Sequence, residues 1–223
     1  MPSKTAGAAA TLFAPLASAA LLAAAFPNID LPALVWVGLA PLMAAIAGKR
    51  PGQGFLLAYG CGIVFFAGVF SWSFEIPGYR IYHQAALAIV IALYFGIFGL
   101  LFSFLAGRLN VLWAFLGAPF IWVSLEYARS NFPLLALPWP LLSHAPYQHP
   151  LVIQIAAIAG AYGLSFVIVL VNTALAAFVY AAIQTNQAGP LSVRRIRHGD
   201  LMVLGAVAVI ALSGSLVYGF LTL

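Results

Sequence analysis

The feature that most constrains this chain is a succession of apolar runs, each close to the thickness of a bilayer, separated by short breaks. A helix needs roughly 20 apolar residues to cross hydrocarbon. The runs are Ala8–Phe26, Leu31–Ala47, Gly54–Phe74, Gln84–Ala106, Val111–Tyr127, Leu151–Tyr180 and Leu201–Leu221. Each break collects proline, glycine, asparagine or charge, the residues that end helices or need water. The composition fits this reading. Of 223 residues, 65% are hydrophobic and 6% charged, against about 25% charged in an ordinary soluble domain. So few charges cannot cover an aqueous surface, so lipid must solvate much of the chain. The expected class is all-α: a polytopic integral membrane bundle of about seven transmembrane helices, forming one domain over residues 1–223.

The net charge of +5 is therefore no nucleic-acid signal, because the basic residues sit in short loops and at helix ends. With the N-terminus inside, the inner segments hold Lys4, Lys49, Arg50, Arg108, Arg194, Arg195 and Arg197, and the outer ones only Arg80 and Arg129. That asymmetry predicts a cytoplasmic N-terminus and, after an odd number of spans, a C-terminus on the outer face. The first run is read as an uncleaved helix, since it exceeds the 7–15 apolar residues of a signal core. The sixth run, 30 residues or about 45 Å as one helix, must tilt or project beyond the hydrocarbon.

One outer break, Ala128 to Pro150, is unusually long, and long loops carry function. Within it, Asn131 to Pro140 is apolar yet rich in proline, so it cannot form a regular helix. An irregular apolar segment near the membrane must be buried against protein or dip into the interface. Trp139 reads either as part of that surface or as a member of the aromatic belt. Just before it, Glu126 and Arg129 stand three apart at the end of the fifth run, on one helical face. They read either as functional ionisable groups at membrane depth or as an interfacial ion pair. Gln154, Ser165 and Asn172 are predicted to form a polar stripe along a continuous sixth helix, of the kind that holds helices together.

Other polar residues offer less. Cys61 lies within the third run, where burial disfavours the thiolate. His83, His144, His149 and His198 lack metal-ligand spacing, although His144 and His149 share a loop. No complete catalytic constellation is present, and no cofactor or metal is implied.

The order of landmarks nonetheless resembles a known family. Phe26-Pro27-Asn28-Ile29-Asp30-Leu31-Pro32 follows the first run. Gly48-Lys49-Arg50-Pro51 precedes a third run ending in Ser71-Trp72. Pro119-Phe120-Ile121-Trp122, Glu126 and Arg129 lead to Pro138-Trp139. Gln154, Gly160-Ala161-Tyr162-Gly163-Leu164-Ser165-Phe166 and Asn172 complete the series. Together they are similar to the N-terminal membrane domain of bacterial apolipoprotein N-acyltransferase, over essentially the whole chain.

The resemblance implies a protein of the bacterial inner membrane that handles a phospholipid acyl donor and a diacylglyceryl lipoprotein. In the family, a periplasmic nitrilase-like domain after the seventh span carries a Glu-Lys-Cys triad and passes the acyl group through a thioester. This chain stops at Leu223, where that domain is expected to begin, and those three residues have no counterparts in it. The resemblance therefore implies the membrane half of the enzyme, acting as part of a longer chain or beside a separate nitrilase-like chain. It also implies Glu126, Arg129 and Trp139 as residues of the outer, substrate-facing side, with Arg129 suited to a phosphate or carboxylate. After Pro138-Trp139 the family usually continues toward glycine, an aromatic and glutamine, whereas here Pro140-Leu141-Leu142-Ser143-His144 follows. A non-catalytic lipid-binding scaffold and a small transporter are the competing expectations.

Overall fold

A computed structural model of the chain describes residues 4–109, 111–132, 136–185 and 196–223, the side chains of 4–11 and 185 excepted. Arg194, Arg195, the Lys4 side chain and residues 133–135 of the proline-rich segment lie outside the described residues. The order is α1 (Lys4–Ala24), α2 (Val35–Gly38), α3 (Ala40–Ile46), α4 (Pro51–Val69), α5 (Ile81–Ile91), α6 (Leu93–Arg108), α7 (Val111–Asn131), α8 (Pro150–Ile153), α9 (Ala156–Thr185) and α10 (His198–Thr222). No strand occurs among the described residues. Five stretches are long and apolar enough to cross a membrane: Pro51–Val69, Ile81–Arg108, Val111–Asn131, Ala156–Gln184 and His198–Thr222. Shorter apolar helices, Leu12–Ala24 and Pro32–Ile46, correspond to the first two runs. The chain is an all-α membrane bundle.

The second run is not one helix. A 3-10 turn, Pro32–Leu34, leads into α2, and the chain then breaks at Leu39 before α3. Pro41 is one cause, since it has no N–H to continue the ladder and its ring crowds the preceding turn. The freed groups find partners on α9 and α1. Asn172 Oδ1 accepts from the Leu39 N–H at 2.8 Å and the Ala40 N–H at 3.0 Å. Its Nδ2 donates to the Val35 carbonyl at 2.9 Å. The Leu42 N–H donates to Ser18 Oγ at 2.8 Å. One buried amide thus completes the ladder that the break interrupts, as buried backbone groups require.

The sixth run departs from the single helix expected. It divides into α8 and α9, interrupted at Gln154 and Ile155, and inside α9 Gly160 adopts φ 65°, ψ −175°. The positive φ suits glycine, which lacks the Cβ that would clash. The predicted stripe is therefore corrected: Ser165 and Asn172 lie on the helix beyond the kink, whereas Gln154 caps α8 and is not in register with them.

Helices α4 and α6 cross closely through small residues. A Cβ on Gly54 would meet the Gly99 carbonyl oxygen, and one on Gly99 would meet the Gly54 carbonyl. Lipid supplies no hydrophobic drive between helices, so such close backbone approach is how they associate. Beside this seam lies an aromatic core of Phe65, Phe66, Phe95, Phe98, Phe102, Phe115 and Trp122. On the outside, Ile210 is 71% and Phe220 75% exposed; such faces suit lipid rather than water.

Candidate functional site

The last two turns of α7 bring Glu126 and Arg129 to one end of the bundle, and both are buried, at 5% and 4% exposure. The proline-rich segment folds over them. Arg129 Nη1 donates to the carbonyls of Leu137 at 3.2 Å and Trp139 at 3.0 Å, and Nη2 to that of Pro140 at 2.7 Å. The Leu137 N–H returns a bond to the Arg129 carbonyl at 3.0 Å. The guanidinium also lies over the Phe66 ring, 5.7 Å from its centroid.

Glu126 holds the next part of the loop. Its Oε1 accepts from the Leu142 N–H at 2.9 Å. Ser165 Oγ, from α9, accepts from the Ser143 N–H at 3.1 Å. Three side chains on two helices thus hold five main-chain groups between Leu137 and Ser143. The physical need is plain: an irregular segment with no ladder of its own can be buried at a membrane only if its polar backbone groups are met.

Arg129 therefore has three of a guanidinium's five donors on backbone carbonyls. The arrangement differs from a surface ion pair, because each charged side chain reaches into the loop. Trp139 is half-buried and stands edge-on to Phe70 at 5.1 Å, Trp72 at 6.0 Å and Phe26 at 6.4 Å. Its neighbours come from the ends of the first and third runs, so the loop closes over two segments distant in sequence. Further out, Asp30 Oδ2 accepts from the Tyr147 hydroxyl at 3.2 Å and from Gln148 Nε2. Asn28 Nδ2 donates to Ser71 Oγ at 2.7 Å.

His144 turns inward within a 3-10 turn, Leu142–His144, and its Nδ1 accepts from the Leu141 N–H at 3.3 Å. Burial, and then the neighbouring Arg129 charge, hold its pKa below the ordinary histidine value. The ring is thereby kept neutral, as its acceptor role demands. His149 instead precedes α8 and is exposed.

A small cavity lies under the loop, lined by Phe65, Phe66, Tyr94, Phe95, Trp122 and Glu126, with Arg129, Pro140 and Leu142 closing it. Sequence reasoning placed Glu126, Arg129 and Trp139 in one region but missed the parts played by Ser165, Ser143 and Trp122. Spacing carried a partial signal for Trp122, which precedes Glu126 by four residues and so shares its face. Nothing in the spacing linked Ser165 to Ser143.

Comparison with known proteins agrees with these landmarks. Residues 18–174 match the family described as the apolipoprotein N-acyltransferase N-terminal domain. The chain is 33% identical over 168 residues to the apolipoprotein N-acyltransferase of Geobacter metallireducens, covering 71% of this chain and 31% of that protein. It is 31% identical over 170 residues to the apolipoprotein N-acyltransferase of Rhodopirellula baltica, covering 67% of this chain and 28% of that protein. The match thus spans about three-tenths of the length of these curated relatives. On the family match and on both alignments, this chain belongs to the apolipoprotein N-acyltransferase N-terminal domain family.

Proposed function

We propose that this chain is the membrane domain of an apolipoprotein N-acyltransferase-like protein, and that the end of the bundle carrying residues 136–149 receives its lipid-tailed substrates. The observation that carries the reading is the loop itself. It is an apolar, irregular segment held at one end of a membrane bundle by buried Arg129 and Glu126, and it presents half-buried Trp139 among aromatic rings. A protein that spends so many polar contacts on one loop maintains it in a fixed shape, and fixed loops on rigid scaffolds are where binding surfaces form.

In this reading the loop end faces the periplasm of a bacterial inner membrane, with the N-terminus cytoplasmic, as the basic residues favour. A phospholipid acyl donor and a diacylglyceryl lipoprotein reach the loop sideways from the bilayer. A nitrilase-like domain, in the same polypeptide or a separate one, performs the N-acylation. Trp139 packs against acyl chains, whereas Glu126 and Arg129 act chiefly by shaping the loop that carries it.

The test is complementation. The chain is expressed with and without a nitrilase-like domain in cells depleted of their own enzyme, and lipoprotein N-termini are read by mass spectrometry. Acylation that requires both parts, and that falls with Trp139→Ala, supports the proposal. Unacylated N-termini with both parts present and correctly inserted reject it in favour of a non-catalytic lipid-binding scaffold.

A further inference from the structure

The end of the bundle opposite the loop gathers charge of one sign. Ser103 of α6 is the fixed point there. Its Oγ donates to the Ile46 carbonyl at 3.0 Å, at the end of α3, and lies where a Cβ on Gly54 of α4 would stand. Lys49 and Arg50 occupy the turn between those two contacts, and Arg108 follows Ser103 by five residues at the end of α6. Three cations are thus drawn to one close helix crossing. The chain has four acidic residues to set against them. Asp30 and Glu126 bond the loop end, and Glu75 lies in the 3-10 turn whose Trp72 meets Trp139 there. Asp200 caps α10, where its Oδ2 accepts from the Arg197 N–H at 2.9 Å. Neither segment of the crossing carries a carboxylate, so the cluster attracts an anion from outside.

The face of α6 that leads to this crossing is apolar and exposed. Ile97, Leu100, Phe104 and Arg108 fall at i, i+3, i+7 and i+11, on one side of the helix. The three apolar members are 39%, 38% and 43% exposed. The Arg108 guanidinium lies over the Phe104 ring, 5.5 Å from its centroid. The charge is thereby held where the apolar stripe ends, as snorkelling cations are at a membrane surface. From Ile97 to Arg108 the stripe rises about 16 Å, half of a hydrocarbon core about 30 Å thick. Its length is that of one leaflet, with the cations at headgroup level. A soluble anion would use the charge and leave the stripe uncovered, whereas a phospholipid uses both.

We propose that this crossing of α4 and α6 binds one phospholipid of net negative charge, its acyl chain along Ile97, Leu100 and Phe104 and its phosphate at Arg108 and Arg50. A choline headgroup would bring a positive charge into the same cluster, so phosphatidylcholine competes poorly there. The site lies away from the loop and stands whether or not the chain supports acyl transfer, so its test uses no activity.

In a Cys61→Ala background, Leu100→Cys carries a fluorescent maleimide on the stripe, and the protein is placed in phosphatidylcholine nanodiscs. Nitroxide-labelled phosphatidylglycerol is expected to quench this label at about a fivefold lower fraction than nitroxide-labelled phosphatidylcholine. Each cation near a membrane surface contributes about that factor. The same fluorophore on Phe120→Cys, a position 64% exposed midway along α7, should be quenched equally by both lipids. Arg50→Gln with Arg108→Gln should equalise the two lipids at position 100, while Arg108→Lys should keep part of the preference. Sodium chloride at about 1 M, where screening acts within about 3 Å, should weaken the preference with every side chain in place, so the result does not depend on one variant folding. Glycerol 1-phosphate, which has the phosphate and no acyl chain, should leave the quenching unchanged. If it restores the fluorescence, the occupant is a free phosphate and the lipid is rejected. The proposal is also overturned if both lipids quench position 100 alike, if position 120 shows the same preference, or if the preference survives the double substitution in folded protein.

Discussion

Removing Arg129 should release the loop. In Arg129→Met the stem is kept and the guanidinium lost, so the carbonyls of Leu137, Trp139 and Pro140 lose their donor together. Hydrogen bonds to charged groups contribute about 1.5–3 kcal/mol each. Three sharing one cation do not add, and losing the buried charge removes its own desolvation cost. Leaving buried carbonyls unsatisfied costs about 1–3 kcal/mol each, so a net loss of about 3–4 kcal/mol is expected. At about 1.4 kcal/mol per tenfold, local opening of the loop should rise on the order of 10²- to 10³-fold. Ser143→Cys reports it, because Ser143 is buried and its hydroxyl makes no hydrogen bond. The background carries Cys61→Ala, although Cys61 is itself buried. In nanodiscs, maleimide labelling at position 143 should accelerate by that factor in Arg129→Met. Arg129→Lys should fall between, since an ammonium lacks the planar fork that reaches three carbonyls at once. Acceleration below about threefold in Arg129→Met, with helical content unchanged, would refute the clamp.

Three further outcomes follow from the same structure. Asn172→Ala should lower resistance to denaturant unfolding by about 3 kcal/mol, since it orphans the Leu39 and Ala40 N–H groups and the Val35 carbonyl; Asn172→Asp, which still accepts but cannot donate, should lie between. Gly219→Ala should destabilise by about 1–3 kcal/mol in the same assay, because its Cβ would meet the Leu151 carbonyl oxygen. Gly214→Ala, which meets open space, should stay within about 0.5 kcal/mol of the parent. His144 is held neutral in the fold and its pKa lies below the unfolded value. At low pH the unfolded chain therefore binds the extra proton, so stability is complete above about pH 6.5 and declines as pH falls below it. His144→Asn, whose Oδ1 can replace Nδ1 as acceptor, should flatten that decline in thermal melts at pH 5 and 7.

The class of fold was legible because hydrocarbon imposes one rule along every span, and apolar length reports it directly. Where the runs stop being helical was less legible. The break at Leu39 depends on Asn172, more than 130 residues away, and no local pattern announces such a partner. Similarly, the kink at Gly160 was invisible to hydropathy, since glycine suits an apolar run as readily as a positive φ. At the site, spacing put Glu126 and Arg129 on one helical face but could not say where their side chains turn. Both reach into the loop, because the segment from Leu137 to Ser143 has carbonyls and N–H groups that nothing local can satisfy. Ser165 was visible only as a polar residue in a long helix, and its link to Ser143 exists only once the loop folds back.

The way the loop is held bears on how far its sequence can drift. Arg129, Glu126 and Ser165 take hold of the carbonyls of Leu137, Trp139 and Pro140 and the N–H groups of Leu142 and Ser143. All of these are main-chain groups, present whatever side chains the loop carries, save that a proline at 142 or 143 would remove a donor. The departure from the usual family continuation after Pro138-Trp139 therefore leaves the grip intact. The cost of changing the loop falls instead on what the side chains touch: Trp139 on Phe70 and Trp72, and Leu142 on the cavity wall. On the proposed function, replacing Trp139 should lower acylation while leaving the loop in place, and replacing Arg129 should instead move the loop with every side chain on it intact. The two perturbations separate holding the loop from what the loop does, and that separation is open to measurement because the grip is made on backbone alone.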